Sequence, residues 1–291
     1  MSTAEPKLTL KVPTEQEWTY LKLRCAERVR KVGAVRAEDF KDWEAVLLDP
    51  SRSPVPHMEI ERQVMSDCQG QSLGNGEESR RWKVSGVMPD LSEMYAYCAS
   101  LYIMGPRNVG VDEGSSIQSG VRLLTEGIES LNLAPGLPAL EDWPYNRWCR
   151  NADQFRRYCQ NLKIEESIVT EAGEMPLWKD ALASLAAGAS IHIGTYWNIQ
   201  WKPFNGKRVM TALPRPGGGH ATEIIWAEQI KGVWYMVVWN SHGDGWYYMP
   251  EMIYTALQRT QCHPFGGYAL YPDRIVERYY DRVKQGGGLF Q

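Results

Sequence analysis

Hydrophobic residues recur at helical spacing through the first half of the core of this chain. Residues 68–80 and 90–104 place apolar side chains three or four positions apart, which is typical of helices. The segment that begins at Asp112 starts with polar residues that can cap a helix and continues into Val-Arg-Leu-Leu. A further helix is predicted over Lys179 to Ala187. This part of the chain is therefore expected to be mostly helical.

The pattern changes to a β-rich one after Ala187. Residues 190–197 have the sequence Ser-Ile-His-Ile-Gly-Thr-Tyr-Trp, and two further β-forming runs, 221–227 and 233–239, flank a short polar turn that contains Gly232. A helical region followed by a sheet region predicts an α+β fold with two lobes, a helical lobe and then an antiparallel sheet lobe. The groove between the lobes is the expected place for a site.

The two runs around Gly232 carry the strongest functional signal. If they pair as an antiparallel hairpin whose turn lies within two residues of residue 230, positions that sum to about 460 lie opposite each other. His220 and Asn240 meet this condition, so the amide oxygen could fix the orientation and tautomer of the ring. The glycines 217–219 leave room beside the ring for a substrate. A structural histidine bonded to a backbone carbonyl is the alternative.

A histidine held by an amide calls for a nucleophile that ionises easily, and a thiol needs less activation than a hydroxyl. Of the six cysteines, Cys68 lies at a predicted loop-to-helix junction, where the helix dipole and free N–H groups favour a thiolate. Cys98, by contrast, lies in mid-helix among Tyr and Ala. Cys68 is the candidate nucleophile, and a buried inert thiol is the alternative.

The composition narrows the class of function. The chain has 291 residues, a formal net charge of −3 and 43% hydrophobic residues, which suits a globular protein and argues against nucleic-acid binding. The N-terminus lacks the basic start and apolar run of a signal peptide, and no segment approaches the ~20 apolar residues of a membrane span. We therefore expect no signal peptide, no membrane association and a location in the cytoplasm or in a virion.

The cysteines and histidines do not indicate a metal site. The six cysteines lie far apart without a Cys-x-x-Cys pair, so free thiols are expected. The five histidines show no His-x-x-x-His or His-Glu-x-x-His spacing. His192 lies in an apolar strand and is expected to be a satisfied core histidine. No metal and no cofactor are predicted.

Several motifs, taken in order, resemble the papain family of cysteine peptidases, in particular its bacterial and phage branches, over roughly residues 60 to 270. The motifs are Gln63 shortly before Cys68, Asp112-Glu-Gly-Ser-Ser-Ile, Glu141-Asp-Trp-Pro-Tyr, Ala181-Leu-Ala-Ser-Leu-Ala-Ala-Gly-Ala-Ser-Ile-His-Ile-Gly, Gly219-His220-Ala and Asn240-Ser-His-Gly-Asp-Gly-Trp246. The resemblance implies a two-lobed papain-like fold and a catalytic triad in which Cys68 and His220 form an ion pair and Asn240 orients the histidine.

The same resemblance implies the surroundings of the triad. The Gln63 side-chain amide and the Cys68 backbone N–H would form the oxyanion hole. The turn at Gly114 would border the substrate cleft, and Trp246 would line its primed side.

Three departures from the family pattern affect these expectations. The glutamine lies five residues before the cysteine rather than the usual six. Asp67 stands directly before the nucleophile, where a carboxylate should make the thiolate more costly. His242 replaces the tryptophan that usually covers the histidine–asparagine hydrogen bond, so this bond is expected to be wetter.

The sequence therefore predicts a cysteine peptidase that hydrolyses peptide bonds through a thioester on Cys68. The alternatives are a structural or virion-assembly protein that retains the fold, and a cell-wall peptide hydrolase. The expected partner is a peptide or protein substrate. If the protein has the structural or virion-assembly role, neighbouring subunits of a larger assembly are expected as further partners.

Three segments are predicted along the chain. Residues 1–55 form an N-terminal arm or a propeptide-like segment, with a helix over 14–30 and an extended, proline-rich connection from Asp49. Residues 56–275 form the papain-like peptidase domain. Residues 276–291 form a C-terminal tail.

Overall fold

The computed structural model describes residues 35–38, 40–59, 62–243 and 245–272. In these ranges the helices are α1 (Trp43–Leu48), α2 (Cys68–Ser85), α3 (Glu93–Met104), α4 (Ile117–Glu126), α5 (Ala152–Cys159), α6 (Trp178–Ala186), α7 (Glu251–Thr260) and α8 (Cys262–Phe265). Four short 3-10 helices cover Pro50–Arg52, Val55–His57, Pro106–Asn108 and Glu129–Leu131. Most of the predicted helices are thus present, although the one expected from Asp112 begins only at Ile117, where the Ser116 hydroxyl caps it.

The strands form one large and one small sheet. They are β1 (Gly136–Leu137), β2 (Glu165–Glu166), β3 (Val169–Glu174), β4 (Ser190–Phe204), β5 (Lys207–Ile230), β6 (Val233–Trp239), β7 (Tyr247–Pro250) and β8 (Gly267–Pro272). The large sheet has the order β3-β8-β4-β5-β6-β7, and its neighbouring strands are antiparallel. Helices dominate before this sheet in the chain, so the predicted α+β architecture is confirmed.

Each lobe has its own hydrophobic core. One core is built from α3, α4 and the aromatic side chains that pack against them, including Trp143 and Phe155. The other lies between the large sheet and α6, with Ile224, Trp226 and Val237 among its buried members. These two cores leave an internal boundary along which α2 runs.

Helix α2 is buried although its sequence is polar. Gln71, Ser72, Glu77 and Arg80 are among its buried residues. Gly70 lets α2 approach α3 closely, since a Cβ there would lie 2.5 Å from the backbone oxygen of Glu93. The helix is therefore held between the lobes by close backbone approach and by hydrogen bonds rather than by an apolar stripe.

Strands β5 and β6 form the predicted hairpin. Its turn residues, Lys231 and Gly232, both have positive φ (50° and 81°), as a two-residue type I′ turn requires. The turn lies within the predicted two residues of position 230. The observed register pairs Ile230 with Val233, which is displaced from the predicted one by three positions, and by two positions beyond the bulge, where Glu223 pairs with Trp239.

This displacement changes how the histidine meets the asparagine. The last observed pair is Glu223 with Trp239, after a bulge between Ile224 and Trp226. Asn240 therefore lies diagonally across from His220 on the same face of the sheet instead of directly opposite. Diagonal neighbours remain within reach of longer side chains.

The part of the predicted N-terminal arm that the structure describes packs against the sheet lobe. The backbone N–H of Ala37 donates to Asp180 at 2.9 Å, and the Trp43 ring lies 5.6 Å from that of Trp234. Trp234 is beside the hairpin turn, ~17 Å along β6 from its Asn240 end at ~3.3 Å per residue. This segment thus packs at the end of the hairpin that is remote from Asn240.

The connection that follows differs from its prediction. Residues from Asp49 were expected to be extended and non-helical, but Pro50–Arg52 and Val55–His57 are 3-10 helices. That expectation is wrong because proline fixes φ near −65°, which suits the first turn of a helix. The helix predicted over 14–30 and the tail 276–291 lie outside the described residues.

Two features are absent from the described ranges. None of their helices has the length and apolar character needed to cross a bilayer. They also contain no group of three or more His, Cys, Asp or Glu side chains arranged to hold a metal ion.

Candidate active site

Cys68 is the first residue of α2, as predicted. The loop before it is held in place by Asp112, whose carboxylate accepts from the Ser66 backbone N–H at 2.8 Å and from the Tyr97 hydroxyl at 3.1 Å. The Ser115 hydroxyl donates to Gln69 at 2.9 Å, so the loop after Asp112 also binds the first turn of the helix. The position of the thiol is thus fixed from two sides.

His220 and Asn240 form the predicted hydrogen bond. Nε2 of His220 lies 3.1 Å from Oδ1 of Asn240. Because an amide oxygen can only accept, Nε2 carries the proton and Nδ1 of the neutral ring bears the lone pair. Nδ1 is buried and has no hydrogen-bond partner among the described residues.

The thiol lies beside the backbone that carries this histidine. The Cys68 sulfur is within hydrogen-bonding reach of the backbone N–H of Ala221, the residue after His220. Cys68 is 1% exposed and His220 is fully buried. The structure therefore joins His220 to Asn240 and places the Cys68 thiol beside the backbone of Ala221, without a hydrogen bond between the thiol and Nδ1 of His220, in a closed site.

Burial sets the charge state of the pair. Desolvation raises the pKa of the Cys68 thiol to about 12, and the adjacent Asp67 acts in the same direction, while the backbone N–H groups of Ala221 and Gln69 oppose the shift. Burial also lowers the pKa of His220 well below its usual range, helped by His242 and opposed by Asn240. In this closed arrangement the neutral thiol and imidazole are favoured over the ion pair that the resemblance implies.

Gln63 lies in the loop before the nucleophile and is 2% exposed. Its backbone N–H donates to the Ser241 carbonyl at 2.8 Å, and its side-chain oxygen accepts from the Ser241 hydroxyl. Its side-chain nitrogen donates to the Met65 carbonyl at 3.0 Å. The amide is thus oriented by both neighbours, with one of its two N–H hydrogens bonded to Met65.

The carboxylate before the nucleophile is buried and only partly satisfied. Asp67 accepts from the Tyr145 hydroxyl and, at 3.3 Å, from the Gln71 amide, while its Oδ1 has no partner among the described residues. Desolvation raises the pKa of Asp67 to about 6, against the effect of these hydrogen bonds. Tyr145, the last residue of the Glu141-Asp-Trp-Pro-Tyr motif, thus donates a hydrogen bond to Asp67, the residue that departs from the papain pattern.

The two predicted substrate-binding residues have different surroundings. Gly114 has a positive φ of 82°, and its backbone N–H donates to the Tyr97 hydroxyl at 3.1 Å. This places it in the loop that also binds the first turn of α2. Trp246 is half-buried and packs against the core of the sheet lobe. The role predicted for each remains a prediction.

An aromatic residue that the sequence reasoning missed covers the histidine. The Trp197 ring lies 4.3 Å from the ring of His220, 4.6 Å from His242 and 5.7 Å from Tyr247. The His220–Asn240 bond was expected to be wetter, but Asn240 is only 2% exposed. That expectation is wrong because Trp197, delivered from β4, takes up the space beside the rings.

The pairing of β4 with β5 explains why Trp197 lies beside the histidine. Thr195 pairs with His220 in the register of β4 and β5, so the aromatic residues that follow Thr195 must pass close to the histidine. Without the β4–β5 register, this placement cannot be read from the pattern alone.

The other described thiols belong to the hydrophobic cores of the two lobes. Cys98, Cys149 and Cys159 belong to the core of the helical lobe, where the side chains of Cys98 and Cys149 hydrogen-bond to each other, and Cys262 belongs to the core of the sheet lobe. All are free thiols, as is Cys68. Cys25 lies outside the described residues.

His192 is a core histidine, as expected, but it is only partly satisfied, because its buried Nε2 has no hydrogen-bond partner among the described residues. It is fully buried, and its Nδ1 lies 2.7 Å from Glu223 Oε2 and 3.1 Å from the Ser72 hydroxyl. It therefore belongs to a buried polar network further along α2 and has no contact with the Cys68 thiol among those observed.

Comparison with known proteins identifies the fold. No protein-family profile matches the chain, and no curated protein matches it. Among solved structures, xylellain, a cysteine protease from Xylella fastidiosa, is similar with a TM-score of 0.51 and 19% identity over 76% of this chain and 85% of that one. The ragweed pollen cysteine protease Amb a 11, in its proform, is similar with a TM-score of 0.50 and 14% identity over 74% of this chain and 61% of that one.

The chain has a papain-like fold. In this papain-like fold the helical lobe carries Cys68 at the start of α2, and the sheet lobe carries His220 and Asn240. The candidate site therefore lies where the two lobes of the papain-like fold meet.

Proposed function

We propose that this protein is a cysteine peptidase of the bacterial or phage branch of the papain family, which hydrolyses peptide bonds through a thioester on Cys68. His220 is the general base and Asn240 orients it. The order of the motifs from Gln63 to Trp246 supports the family assignment. Residues 56–275 would form the peptidase domain, between an N-terminal arm and a C-terminal tail.

One observation carries the proposal. The Asn240 oxygen fixes the proton of His220 on Nε2, which leaves the lone pair of Nδ1 without a partner in a buried position. A buried unpaired acceptor is costly in a purely structural histidine. Nε2 of His192 also lacks a partner among the described residues, so what sets His220 apart is that the next residue, Ala221, lies within hydrogen-bonding reach of the Cys68 thiol.

The chemistry follows from this tautomer. The Cys68 proton moves to Nδ1 of His220, and the sulfur forms a bond to the substrate carbonyl carbon while the carbonyl π electrons move to its oxygen. The oxyanion then collapses, the carbon–nitrogen bond breaks, and the leaving amine takes the proton from His220. Water, deprotonated by the same nitrogen, hydrolyses the thioester and returns the thiol.

The oxyanion needs donors during both halves of the reaction. The backbone N–H of Cys68 lies at the start of α2, where helix N–H groups have no intrahelical acceptor. Gln63 contributes the second donor through the amide hydrogen that does not bond to Met65. Two such donors act only on the charged intermediate, so they lower the barrier without tightening substrate binding.

The closed site implies an opening step. A thiol that is 1% exposed cannot meet a peptide carbonyl until neighbouring groups move. Trp197 is the ring that lies against His220, so its displacement is the movement we assign to substrate entry.

The same closure favours a second candidate function. A papain-like protein that serves as a structural subunit, for example in a virion, has no need for an accessible thiol. Under this reading the site would stay closed, and neither thiol reagents nor peptides would reach Cys68.

Labelling with an epoxide or vinyl sulfone inhibitor distinguishes the peptidase function from the structural function. The peptidase proposal predicts modification at Cys68, located by mass spectrometry, in the native protein, with loss of labelling in His220→Ala. Cys262→Ala is the matched control, because Cys262 is also buried but belongs to the core of the sheet lobe, and the variant should label normally. Native protein that labels at no cysteine, while denatured protein labels at all of them, would support the structural reading.

A further inference from the structure

A basic hairpin projects from the candidate site. We call residues 197–217, the outer parts of β4 and β5, the arm, which is distinct from the predicted N-terminal arm of residues 1–55. The arm contains Lys202, Lys207, Arg208 and Arg215 and no acidic residue, and the acid-free stretch extends over residues 181–222. In a chain with a net charge of −3, this is a local excess of positive charge.

The arm starts at the catalytic histidine. Thr195 pairs with His220, and Trp197, two residues later, lies 4.3 Å from the His220 ring. The pairing of β4 with β5 shifts between Tyr196 and Asn198, so a bulge separates the arm from the body of the sheet. The arm is therefore a continuation of the strands that carry the site.

Two of its four cations are engaged by the protein itself. Lys207 lies 2.9 Å from Glu228 and 2.7 Å from the Tyr248 hydroxyl. The Arg208 guanidinium is half-buried and lies over the rings of Trp201 and Tyr247, at 5.2 and 5.9 Å. These contacts fix the shape of the arm and its orientation on the sheet lobe.

The other two cations are exposed. Arg215 pairs across the arm with Asn198, one residue beyond Trp197, and its Nε and Nη2 donate to the Gln200 side-chain oxygen at 3.1 and 2.9 Å once the Gln200 amide is turned so that its oxygen faces the guanidinium. Lys202 is exposed and lies four residues further out on β4. The exposed charge thus forms a row that begins beside the site and runs outward.

The edge of strand β4 in the arm is not paired with another described strand. Strand β8 pairs with β4 only from Ser190 to Ile193, so beyond Gly194 no described strand covers that edge. An extended peptide can add to an open edge through main-chain hydrogen bonds, while side chains decide which sequence is preferred. Lys and Pro also occur on edges simply to prevent aggregation, which is the competing explanation of Lys202 and Pro203.

We propose that the arm binds an acidic segment of the polypeptide substrate, extended along the open edge of β4 with its carboxylates at Arg215 and Lys202. This inference rests on the proposed peptidase function and adds the substrate class. At ~3.3 Å per extended residue, the first carboxylate would lie about three residues from the scissile bond and the second about four residues further along.

Paired peptides measure the preference. One peptide carries Asp or Glu at these two positions, and its partner carries Asn or Gln. Two solvent-exposed ion pairs should make kcat/KM about three- to tenfold higher for the acidic peptide at low ionic strength, and the advantage should fall as salt is added. The double variant Lys202→Gln/Arg215→Gln should lose the advantage, so that it cleaves the two peptides with similar kcat/KM.

The matched control removes the same charge elsewhere. Lys41 and Arg107 are exposed and lie outside the arm, so Lys41→Gln/Arg107→Gln should keep the acidic preference. Equal rates on both peptides, or equal loss in both double variants, would overturn the arm proposal while leaving the peptidase proposal intact.

Binding to the inactive full-length Cys68→Ala protein separates the two proposals. The fluorescent acidic peptide should bind it more tightly than the neutral one, with the difference lost in Lys202→Gln/Arg215→Gln. If this binding occurs and the wild type cleaves nothing, the peptidase proposal fails and the arm remains an acidic-peptide site. Equal binding of both peptides would contradict the arm proposal, and edge protection would explain its charges.

Discussion

The two ends of α2 differ in how they hold buried polar groups. At its start, Cys68 and Asp67 are buried, and burial raises the pKa of each. About 18 Å further along the helix, at 1.5 Å per residue, Arg80 is equally buried but lies among carboxylates. The same helix therefore carries a candidate reactive centre and a buried ionic network.

The network is held by its own contacts. Arg80 lies 2.9 Å from Glu77 and 3.3 Å from Glu223, both fully buried. Glu223 also accepts from the Ser190 hydroxyl and lies 2.7 Å from His192. Each buried carboxylate and the guanidinium therefore has partners within the protein.

The polar groups at the start of the helix do not all have such partners. Oδ1 of Asp67 and Nδ1 of His220 are buried without a hydrogen-bond partner among the described residues. Unsatisfied buried polar atoms are destabilising, so their retention needs a reason. The comparison teaches that the two ends differ in charge pairing: Arg80 has carboxylates as partners, whereas the buried Asp67 has only the neutral donors Tyr145 and Gln71 among the described side chains.

The largest expected effect is loss of activity without loss of the fold. Cys68→Ala should reduce peptide hydrolysis by roughly 10⁴-fold or more, because the nucleophile is absent. Its unfolding midpoint in urea should stay close to that of the wild type. Activity that survives in Cys68→Ala would show that the thiol is not the nucleophile.

A change in the ionic network around Arg80 should instead lower the stability of the protein. Glu223→Gln leaves Arg80 and His192 without their shared anion, so the free energy of unfolding should fall by about 3–5 kcal/mol. Urea denaturation measures this change. Asp153→Asn is the control, since Asp153 pairs with Arg156 on the surface and its loss should not be measurable. A small effect of Glu223→Gln would mean that the network is not a stability element.

The third effect concerns the oxyanion hole. Gln63→Ala should lower kcat about a hundredfold with little change in KM, because the donor acts on the transition state. Gln160→Ala, at an exposed amide, is the control and should leave both constants unchanged. A rise in KM alone would indicate that Gln63 only shapes the loop.

The smallest effect tests Asp67, whose pKa burial raises to about 6. A carboxyl with a raised pKa in the folded state stabilises the fold below its unfolded pKa of 3.8, and this contribution is lost as the pH rises through about 6. Asp67→Asn should therefore flatten the pH dependence of stability between about pH 4 and 6. Thermal unfolding across this range measures it.

The same variant should also sensitise the thiol. The Asp67 charge contributes to the raised pKa of Cys68, so Asp67→Asn should speed alkylation by iodoacetamide near neutral pH. Cys68→Ala in the same background identifies the reacting residue. An unchanged alkylation rate would show that the carboxyl is protonated or screened from the sulfur.

The site could be predicted where chemistry followed local pattern. The hairpin symmetry was enough to predict a hydrogen bond between His220 and Asn240, and the loop-to-helix junction was enough to predict that Cys68 begins a helix. The register was missed by two to three positions because the turn lies at Lys231 and Gly232 rather than at residue 230, and the bulge between Ile224 and Trp226, which depends on tertiary packing, removes one of these positions. The diagonal geometry nevertheless kept the two side chains within hydrogen-bonding distance.

Other features could not be read from the pattern. Glu77 and Arg80 have the spacing of a solvated helix face, yet they are buried because both lobes close over α2. Trp197 reaches the site only through the pairing of β4 with β5. Both outcomes depend on contacts between residues that are far apart in sequence, which propensity and periodicity do not encode.

The bonds between Gln63 and Ser241 have a consequence for synthesis of the protein. They join residues 178 positions apart, so the loop before the nucleophile gains these partners only after the segment around Asn240 has left the ribosome. At 5–20 residues per second this delay is roughly 10–35 s. A nascent chain therefore cannot complete the candidate site until most of its residues have been synthesised.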